Sequence, residues 1–233
     1  MRGEPGIAIV AALIGDTGRA AILTALMDGR ALPAGELAAM AGLSAPAASA
    51  HLARLLDGGL LAVEREGRHR YYRLAGSGIA TILESLASLC GQSRTQEIVR
   101  TPQVSALRFA RTCYDHLAGE VGVAVAAALE EQGLLAPAEG KRFDVTPAGA
   151  AWFADVLAIE VGVLKPGRQG VARRCLDWTQ RRHHMAGPLG RAMLERCWDL
   201  GLLTRIQRSR AVRLTTRGRS FLQVQLGIDL RVG

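Results

Sequence analysis

Aromatic residues are scarce in this chain, and so are lysines, cysteines and long apolar runs. Phe, Trp and Tyr together make up 4% of the 233 residues, which is little for a β-sandwich or barrel. Gly, Asp or Arg interrupts every apolar segment before it reaches the roughly 20 residues of a membrane-spanning helix. The N-terminal residues lack the basic start and long apolar stretch of an export signal. We therefore expect a cytoplasmic protein with no membrane partner.

Cysteine is too rare in so long a chain to form a disulfide framework. The cysteines are Cys90, Cys113, Cys175 and Cys197. We expect reduced thiols, as is usual in a cytoplasm.

Positive charge is the clearest excess, with 29 basic against 21 acidic side chains and a net charge of +8. Residues 1–100 hold 10 basic and 9 acidic side chains, so nearly all of the excess falls in residues 101–233. The segment 165–219 alone carries 14 basic side chains. Its surface either lies along nucleic-acid phosphates or is simply solvated, and the sequence leaves these alternatives open.

The predicted elements of the first hundred residues follow the order of a winged helix-turn-helix. Apolar clusters at three- and four-residue spacing predict helices over residues 7–27, 33–41 and 79–89. Ser44 is placed to cap a further helix, residues 44–56, with Pro46 in its first turn. Residues 60–74 predict a two-stranded hairpin, the wing, that turns at Glu66-Gly67.

Two segments of this region resemble the ArsR/SmtB family of bacterial transcription regulators, and the resemblance covers roughly residues 7–95. The segments are LSAPAASAHLARLL (residues 43–56) and LLAVEREGRHRYYRL (residues 60–74). The resemblance implies a homodimeric repressor of transcription that binds double-stranded DNA, with dimer contacts through the first helix and the helix over 79–89. The family's usual metal sites do not carry over, because residues 37–43 contain no cysteine and residues 77–89 contain neither His nor Asp.

The helix over 44–56 is the predicted reading helix, because the major groove of DNA accepts one α-helix. Small side chains let its backbone approach phosphates, polar ones offer donors to bases, and the basic tip of the wing suits the adjacent minor groove. The predicted DNA-binding residues are Ser44, Ala45, Pro46, Ala47, Ser49, His51, Arg54, Arg65, Arg68, His69 and Arg70. A solvated polar surface is the alternative for the same residues. One such helix reads only a few base pairs, so we expect a dimer on a near-palindromic operator.

The chain repeats itself after residue 100. The segment His116-Leu-Ala-Gly-Glu-Val-Gly returns as His184-Met-Ala-Gly-Pro-Leu-Gly, and in both copies Gly-Leu-Leu begins 17 residues after the histidine. We predict two helix–hairpin–helix repeats, which are winged-helix-like, over about 104–163 and 166–230. The expected fold class is mainly α with small β-hairpin wings. The expected domains are a DNA-binding and dimerisation domain, 1–97, and a regulatory domain, 98–233.

Cys-x-Asp triplets precede both repeated histidines and define a candidate effector site. Its members are Cys113, Tyr114, Asp115, His116, Cys175, Asp177, Trp178, His183 and His184. Thiolate and imidazole groups suit a thiophilic metal ion such as zinc, copper(I) or mercury, with Cys113, His116, Cys175 and His184 as candidate ligands. A small organic effector between the repeats, a thiol redox switch and plain packing are the alternatives.

The leading hypothesis is an effector-responsive transcriptional repressor, and not an enzyme. The first alternative is an enzyme with a metal site or a thiol nucleophile, in which Cys113 and His116 lie on adjacent turns of one helix. Against it, the sequence has no Gly-rich phosphate loop, G-x-S-x-G elbow or H-E-x-x-H motif. The second alternative is an architectural protein that binds DNA of any sequence.

Overall fold

The structure is a computed structural model that describes residues 6–67, 69–90 and 102–230. The chain divides into two compact units, Met1–Leu83 and Glu84–Gly233. The predicted domain boundary between residues 97 and 98 lies outside the described residues.

The first unit combines helices with a three-stranded antiparallel sheet. Its helices are α1 (Ile7–Ile14), α2 (Thr17–Ala25), α3 (Ala34–Ala41), α4 (Ala45–Asp57) and the beginning of α5 (Ser77–Cys90). Its strands are β1 (Leu32–Pro33), β2 (Leu61–Glu66) and β3 (His69–Leu74), in the order β1-β3-β2. This arrangement confirms the predicted winged helix-turn-helix, with α3 and α4 as the helical pair and β2–β3 as the wing.

The prediction of one continuous helix over residues 7–27 is wrong. The helix breaks after residue 14 and restarts at residue 17, with an angle of 83° between the two parts. The cause is local: the Asp16 carboxylate accepts the N–H of Arg19 at 2.9 Å and so caps α2. The Arg19 side chain in turn donates to the carbonyl oxygen of Leu13 at 2.7 Å, near the end of α1.

Local signals place α4 and the wing where the sequence predicts them. The Ser44 hydroxyl accepts the N–H of Ala47 and caps α4, and Gly42, with φ 66°, ends α3. The wing strands pair in register from Leu61 opposite Leu74 to Glu66 opposite His69. Buried aliphatic side chains from the helices and the wing form the core of this unit: Ile22, Leu23, Leu26, Leu37, Leu52, Leu55 and Leu74.

The second unit alternates hairpins with helices. After α6 (Pro102–Phe109), its first half contains β4 (Arg111–Cys113), β5 (His116–Ala118), α7 (Gly119–Glu131), β6 (Leu135–Ala138), β7 (Arg142–Val145) and α8 (Pro147–Leu157). After a 3-10 turn (Val161–Val163), its second half contains β8 (Ala172–Leu176), β9 (His183–Ala186), α9 (Gly187–Asp199), β10 (Leu203–Arg205), β11 (Val212–Leu214) and α10 (Thr216–Leu226). Both halves therefore run hairpin, helix, hairpin, helix. The sequence predicts only helix, hairpin and helix for each half, so it misses the hairpin with which each half begins, β4–β5 and β8–β9.

Strand pairing joins the two halves of the second unit. The strands β6-β7-β8-β9 form one four-stranded antiparallel sheet, so the last hairpin of the first half continues into the first hairpin of the second half. The pairs β4-β5 and β10-β11 form separate two-stranded sheets. Large buried side chains such as Leu129, Phe143 and Phe153 lie in the shared core.

No single helix in the described part of the chain is long and apolar enough to cross a membrane. By length and composition alone, α1 and α2 meet that test only when they are taken together across their bend.

Candidate functional site

The outer face of α4 is open to solvent and is lined by small side chains. Buried residues of α4, namely Ala48, Leu52 and Leu55, hold the opposite face in the core. The predicted DNA-binding residues on this helix that are exposed are Ser44, Ala45, Pro46, Ser49 and Arg54, and Ala47 is half-buried. The exposed face therefore presents small side chains and hydroxyl groups, with the Arg54 cation near its C-terminal end.

His51 departs from the prediction, because it faces α2 and not the solvent. It is half-buried, and its Nδ1 lies 3.6 Å from Oδ1 of Asp16. A β-carbon at Gly18 on α2 would come within 2.8 Å of His51 Nε2. His51 thus packs between α4 and α2, and a side chain at position 18 would displace its ring.

The wing carries its positive charge near the turn. Arg65 lies directly opposite Arg70 in the strand register, and both are exposed, as is His69. The predicted contact Arg68 lies outside the described residues. Tyr72, on the wing strand β3, is buried. Like charges directly opposite each other weaken a strand pair, so this tip is suited to an anion that bridges both arginines.

In the second unit, Cys113 and His116 lie on a hairpin, so the expectation that they share one helix is wrong. They are directly opposed partners in the β4–β5 register. Tyr114 takes a φ of 62° in the turn between them. The same arrangement recurs in the second half, where Cys175 and His184 are directly opposed partners in the β8–β9 register.

These two Cys/His pairs meet in one buried cluster, which we call the Cys2His2 cluster (Cys113, His116, Cys175 and His184). The two Sγ atoms lie 4.0 Å apart, and the two Nε2 atoms lie 3.1 Å apart. All four ligand atoms lie within 4.8 Å of one another. The four residues are at most 9% exposed. Chemically, the cluster is a set of two sulfur and two nitrogen donors around one point.

A carboxylate stands behind each imidazole of the cluster. Oδ1 of Asp115 lies 3.0 Å from Nδ1 of His116, and Oδ2 of Asp177 lies 3.5 Å from Nδ1 of His184. Asp115 also accepts a hydrogen bond from Nε of Arg191 at 2.9 Å. Both histidines therefore direct Nε2 towards the sulfurs and Nδ1 towards an anion.

Asp177 is held in place by several donors. It accepts the Arg111 guanidinium at 2.9 Å, the N–H of Gly119 at 2.7 Å and the Thr179 hydroxyl at 2.6 Å. Burial alone would raise the pKa of Asp177, but Arg111, Thr179 and Gly119 together lower it to about 2. Because these donors come from separate elements, Asp177 also ties the two leading hairpins to the beginning of α7.

The two thiols of the cluster differ in acidity, since the contact with Cys175 and burial raise the pKa of Cys113 well above its usual value. The thiol of Cys113 lowers the pKa of Cys175, and the imidazoles of His116 and His184 lower it further. Burial opposes a charge on His116, but Asp115 and Cys175 raise its pKa above the usual value. The centre thus contains a sulfur that readily loses its proton beside an imidazole that attracts one.

The remaining members of the predicted effector site lie outside the cluster. Tyr114 forms the first hairpin turn, and the Arg111 guanidinium lies 4.8 Å from the centre of the Trp178 ring. The Nδ1 of His183 lies 3.2 Å from a guanidinium nitrogen of Arg174. The structure therefore brings together the two cysteines, two of the three histidines and both aspartates of the predicted set.

Two glycines that the repeat contains, but that the prediction did not use, bring the halves together. A β-carbon at Gly122 would come within 2.6 Å of the Leu117 carbonyl oxygen and 3.6 Å of the His184 β-carbon. At Gly190 it would come within 2.7 Å of the Met185 carbonyl oxygen and 3.3 Å of the His116 β-carbon. The final glycine of each His-x-Ala-Gly-x-x-Gly motif therefore lets its helix approach the histidine of the other half.

The basic hairpin β10–β11 is less uniform than its sequence suggests. Arg205, Arg208 and Arg213 are exposed, whereas Arg210 is buried. Within the second unit, Arg210 donates to Oε1 of Glu84 at 3.3 Å. Arg210 is therefore a buried ion-pair partner and not a surface cation.

Comparison with known proteins places the first unit among transcription regulators. A family model described as a helix-turn-helix domain matches residues 15–64. The HTH-type transcriptional regulator YdfF of Bacillus subtilis is 42% identical over 227 residues, which is 97% of this chain and 100% of that protein. The HTH-type transcriptional regulator CmtR of Mycobacterium tuberculosis is 38% identical over 86 residues, 37% of this chain and 72% of that protein. Both relatives are transcriptional regulators.

Solved structures are similar to part of the chain. The Mycobacterium bovis protein Mb0332, described as a homodimeric winged helix-turn-helix DNA-binding domain and a possible ArsR-family regulator, is 27% identical, with a TM-score of 0.34. The match covers 43% of this chain and 99% of that chain. The transcriptional repressor BigR from Xylella fastidiosa is 23% identical, with a TM-score of 0.34, and covers 36% of this chain and 84% of its own.

Proposed function

The chain belongs to the ArsR/SmtB family of winged helix-turn-helix transcriptional regulators, and from this premise we propose that it is a cytoplasmic, effector-responsive repressor. It is a DNA-binding transcriptional regulator. In our proposal it binds a near-palindromic operator as a homodimer, through the helix over 44–56 and the wing over 60–74. An effector bound in the second unit releases it.

The observation that carries the DNA-binding part of the proposal is the exposed face of α4. Pro46, Ser49 and Ala50 are exposed, and Ser49 and Ala50 follow Pro46 by three and four residues, so they share one side of the helix with it. Small side chains on this side let the helix enter the major groove closely, where the Ser49 hydroxyl reaches base edges. Arg54, one turn further on, is placed for the sugar–phosphate backbone.

The wing supports the same proposal through its charge. Arg65 and Arg70 lie opposite each other on the wing strands, so one DNA phosphate at the end of the wing can neutralise both positive charges. Because these contacts are electrostatic, they strengthen binding without reading sequence, and salt weakens them.

Exposed apolar side chains favour a second copy of this chain as the dimer partner. They lie on α1 and α5 and are Ile7, Ile9, Val10, Ile82, Leu86 and Leu89. An exposed apolar surface of this kind is typical of an interface. Two copies joined there also give the two-fold symmetry that a near-palindromic operator requires.

For the second unit, we propose two diverged copies of one hairpin–helix–hairpin–helix segment that together hold the effector. Equivalent motif residues occupy equivalent positions in the two halves: Cys113 and Cys175 on the first strands, Gly122 and Gly190 on the helices. All four cysteines of the chain lie at position 90 or later. Thiol-based sensing is therefore confined to the region beyond the reading helix and the wing.

Titration of labelled DNA from upstream of the protein's own gene tests this function. We expect binding at least about 1,000-fold tighter than to a scrambled duplex, and lower transcription from the bound promoter. Arg54→Ala should weaken binding to both duplexes and reduce the slope of log affinity against log salt by about one. Arg142→Ala, at an exposed arginine in the second unit, is the matched control.

Equal affinity for the two duplexes would indicate an architectural protein and would overturn the proposal. Transcription that stays unchanged or rises while the operator is occupied would contradict repression specifically.

A further inference from the structure

The two leading hairpins of the second unit present four ligand atoms to one point. Each hairpin contributes a directly opposed Cys/His pair, Cys113 with His116 and Cys175 with His184. The strand register, and not a flexible loop, therefore fixes the position of each donor. Because both pairs are buried, the donors face one another in a place from which bulk water is excluded.

The distances between these atoms fit the edges of a tetrahedron around a metal ion. An ion bonded to sulfur at about 2.3 Å and to nitrogen at about 2.0–2.1 Å separates two sulfurs by about 3.8 Å and two nitrogens by about 3.3 Å. The observed separations are 4.0 Å between the sulfurs and 3.1 Å between the nitrogens. The sulfur–nitrogen separations lie within 4.8 Å, against about 3.6 Å in such a tetrahedron, so binding an ion needs side-chain shifts of at most about 1 Å.

The surroundings of the imidazoles are compatible with a cation between them. Nδ1 of His116 lies 3.0 Å from Asp115, which holds a proton on that nitrogen and leaves a lone pair on Nε2. Nδ1 of His184 is buried without a hydrogen-bond partner and lies 3.5 Å from Asp177. The two Nε2 atoms, 3.1 Å apart beside two sulfurs, can share either a proton or a metal ion.

The donor set identifies the class of ion. Two sulfurs and two nitrogens in tetrahedral arrangement are typical of zinc(II), and four protein ligands leave no open position for a substrate. The carboxylates behind the histidines are the usual partners of zinc-bound imidazole. A disulfide is a poorer description of the two cysteines, because its sulfurs lie about 2.05 Å apart.

We propose that Cys113, His116, Cys175 and His184 bind one zinc(II) ion per chain in a closed tetrahedral site that locks together the two halves of the second unit. This site is separate from the helix positions at which the family's usual metal ligands lie. The site stands on its own geometry, whereas its role as the repressor's effector rests on the function proposed above.

Metal analysis of the full chain tests the site. Protein purified under reducing conditions without chelator, or stripped of metal and titrated with zinc, should bind one zinc per chain and compete with a chromogenic chelator. Cys113→Ser and His184→Ala should each weaken zinc binding by more than about 100-fold, since loss of an outer partner alone costs 10- to 100-fold. Cys197→Ala is the matched control, because Cys197 is buried but lies outside the cluster.

A second measurement needs no variant. Cobalt(II) bound to the wild-type chain should show the visible absorption bands of a tetrahedral ion and a thiolate-to-cobalt charge-transfer band, and zinc should displace it. Failure to bind either ion, octahedral cobalt bands, or a Cys113–Cys175 disulfide in protein kept under reductant would each overturn the proposal. None of these results depends on DNA binding, so failure of the site and failure of the proposed function are distinguishable.

Discussion

The two aspartates of the Cys2His2 cluster differ in how firmly they are held. Asp177 is fully buried and accepts hydrogen bonds from Arg111, Gly119 and Thr179. Asp115 is partly exposed and is shared between His116 and Arg191. Replacing Asp177 would thus disturb the packing of several elements, whereas Asp115 offers a cleaner probe of how a carboxylate tunes the cluster.

Asp115→Ala should weaken zinc binding by about 10- to 100-fold while the chain remains folded. The physical reason is that His116 loses the anion that orients its ring and keeps the proton on Nδ1. Chelator competition followed by circular dichroism checks both parts. Asp144→Ala, which removes an exposed carboxylate outside the cluster, should leave zinc affinity unchanged, and an equal loss in both variants would contradict this prediction.

At the residue scale, the sequence predicts the chemistry of the site better than its geometry. The repeated Cys-x-Asp and His-x-Ala-Gly patterns identify the cluster residues, because a motif that occurs twice is visible without a structure. The sequence does not predict the hairpin that places Cys113 opposite His116, because three-residue strands carry too little pattern. Arg111 and Thr179 were missed for another reason: their contact with Asp177 joins residues far apart in the sequence.

Among the described elements, α1 and α5 each carry several exposed large apolar side chains. Ile82 and Leu86 on α5 are 50% and 40% exposed. They lie four residues apart, so they share one side of the helix. If this side is the dimer interface, buried carboxylates there are costly, because no partner compensates the lost solvation.

The double variant Ile82→Glu/Leu86→Glu should therefore be a monomer and should bind the operator more weakly. Sedimentation velocity and DNA titration measure the two effects. Val224→Glu is the control, because Val224 on α10 is 77% exposed but lies outside the proposed interface. An unchanged dimer in the double variant would place the interface elsewhere.

The helices α8 and α10 begin with the same N-cap, which is a second feature that the two halves share. Thr146 and Thr215 cap these helices by accepting the N–H of Gly149 and Gly218, each at 2.9 Å. A β-carbon at Gly149 would come within 2.0 Å of the carbonyl oxygen of Leu134. Glycine is therefore required there by close packing against the preceding hairpin.

Gly149→Ala should lower the free energy of unfolding of the chain by about 1–3 kcal/mol or more, the usual cost of overpacking. Gly162→Ala is the control, because a β-carbon at Gly162 meets no other atom within 4 Å, and its effect should stay within about 1 kcal/mol. Thermal or urea denaturation compares the two. Similar stability of both variants would show that the helix shifts at little cost.

Among the elements, the sequence predicts those helix ends and strands that residues next to them in the sequence determine. The Ser44 cap, the Gly42 stop and the alternating residues of the wing were sufficient to place α4 and β2–β3. The break between α1 and α2 was not predicted, because the apolar pattern continues through it. The contacts of Asp16 and Arg19 that end one helix and begin the next carry no periodicity.

For the whole molecule, the account links two equilibria, operator binding by the first unit and zinc binding by the second. Linkage is reciprocal: if zinc weakens operator binding by some factor, the operator weakens zinc binding by the same factor. The sequence predicts that the reading helix and the repeats with the Cys-x-Asp triplets lie in separate parts of the chain, since their motifs do not overlap. The coupling between them cannot be predicted from sequence, because it is a difference in free energy between states of the dimer.

The decisive measurement is the affinity of the full chain for its operator, by fluorescence anisotropy with and without bound zinc. Zinc should weaken operator binding by about 5- to 150-fold, and Cys113→Ser should bind the operator equally well with and without zinc. The same operator affinity for zinc-loaded and zinc-free wild-type protein would contradict this expectation.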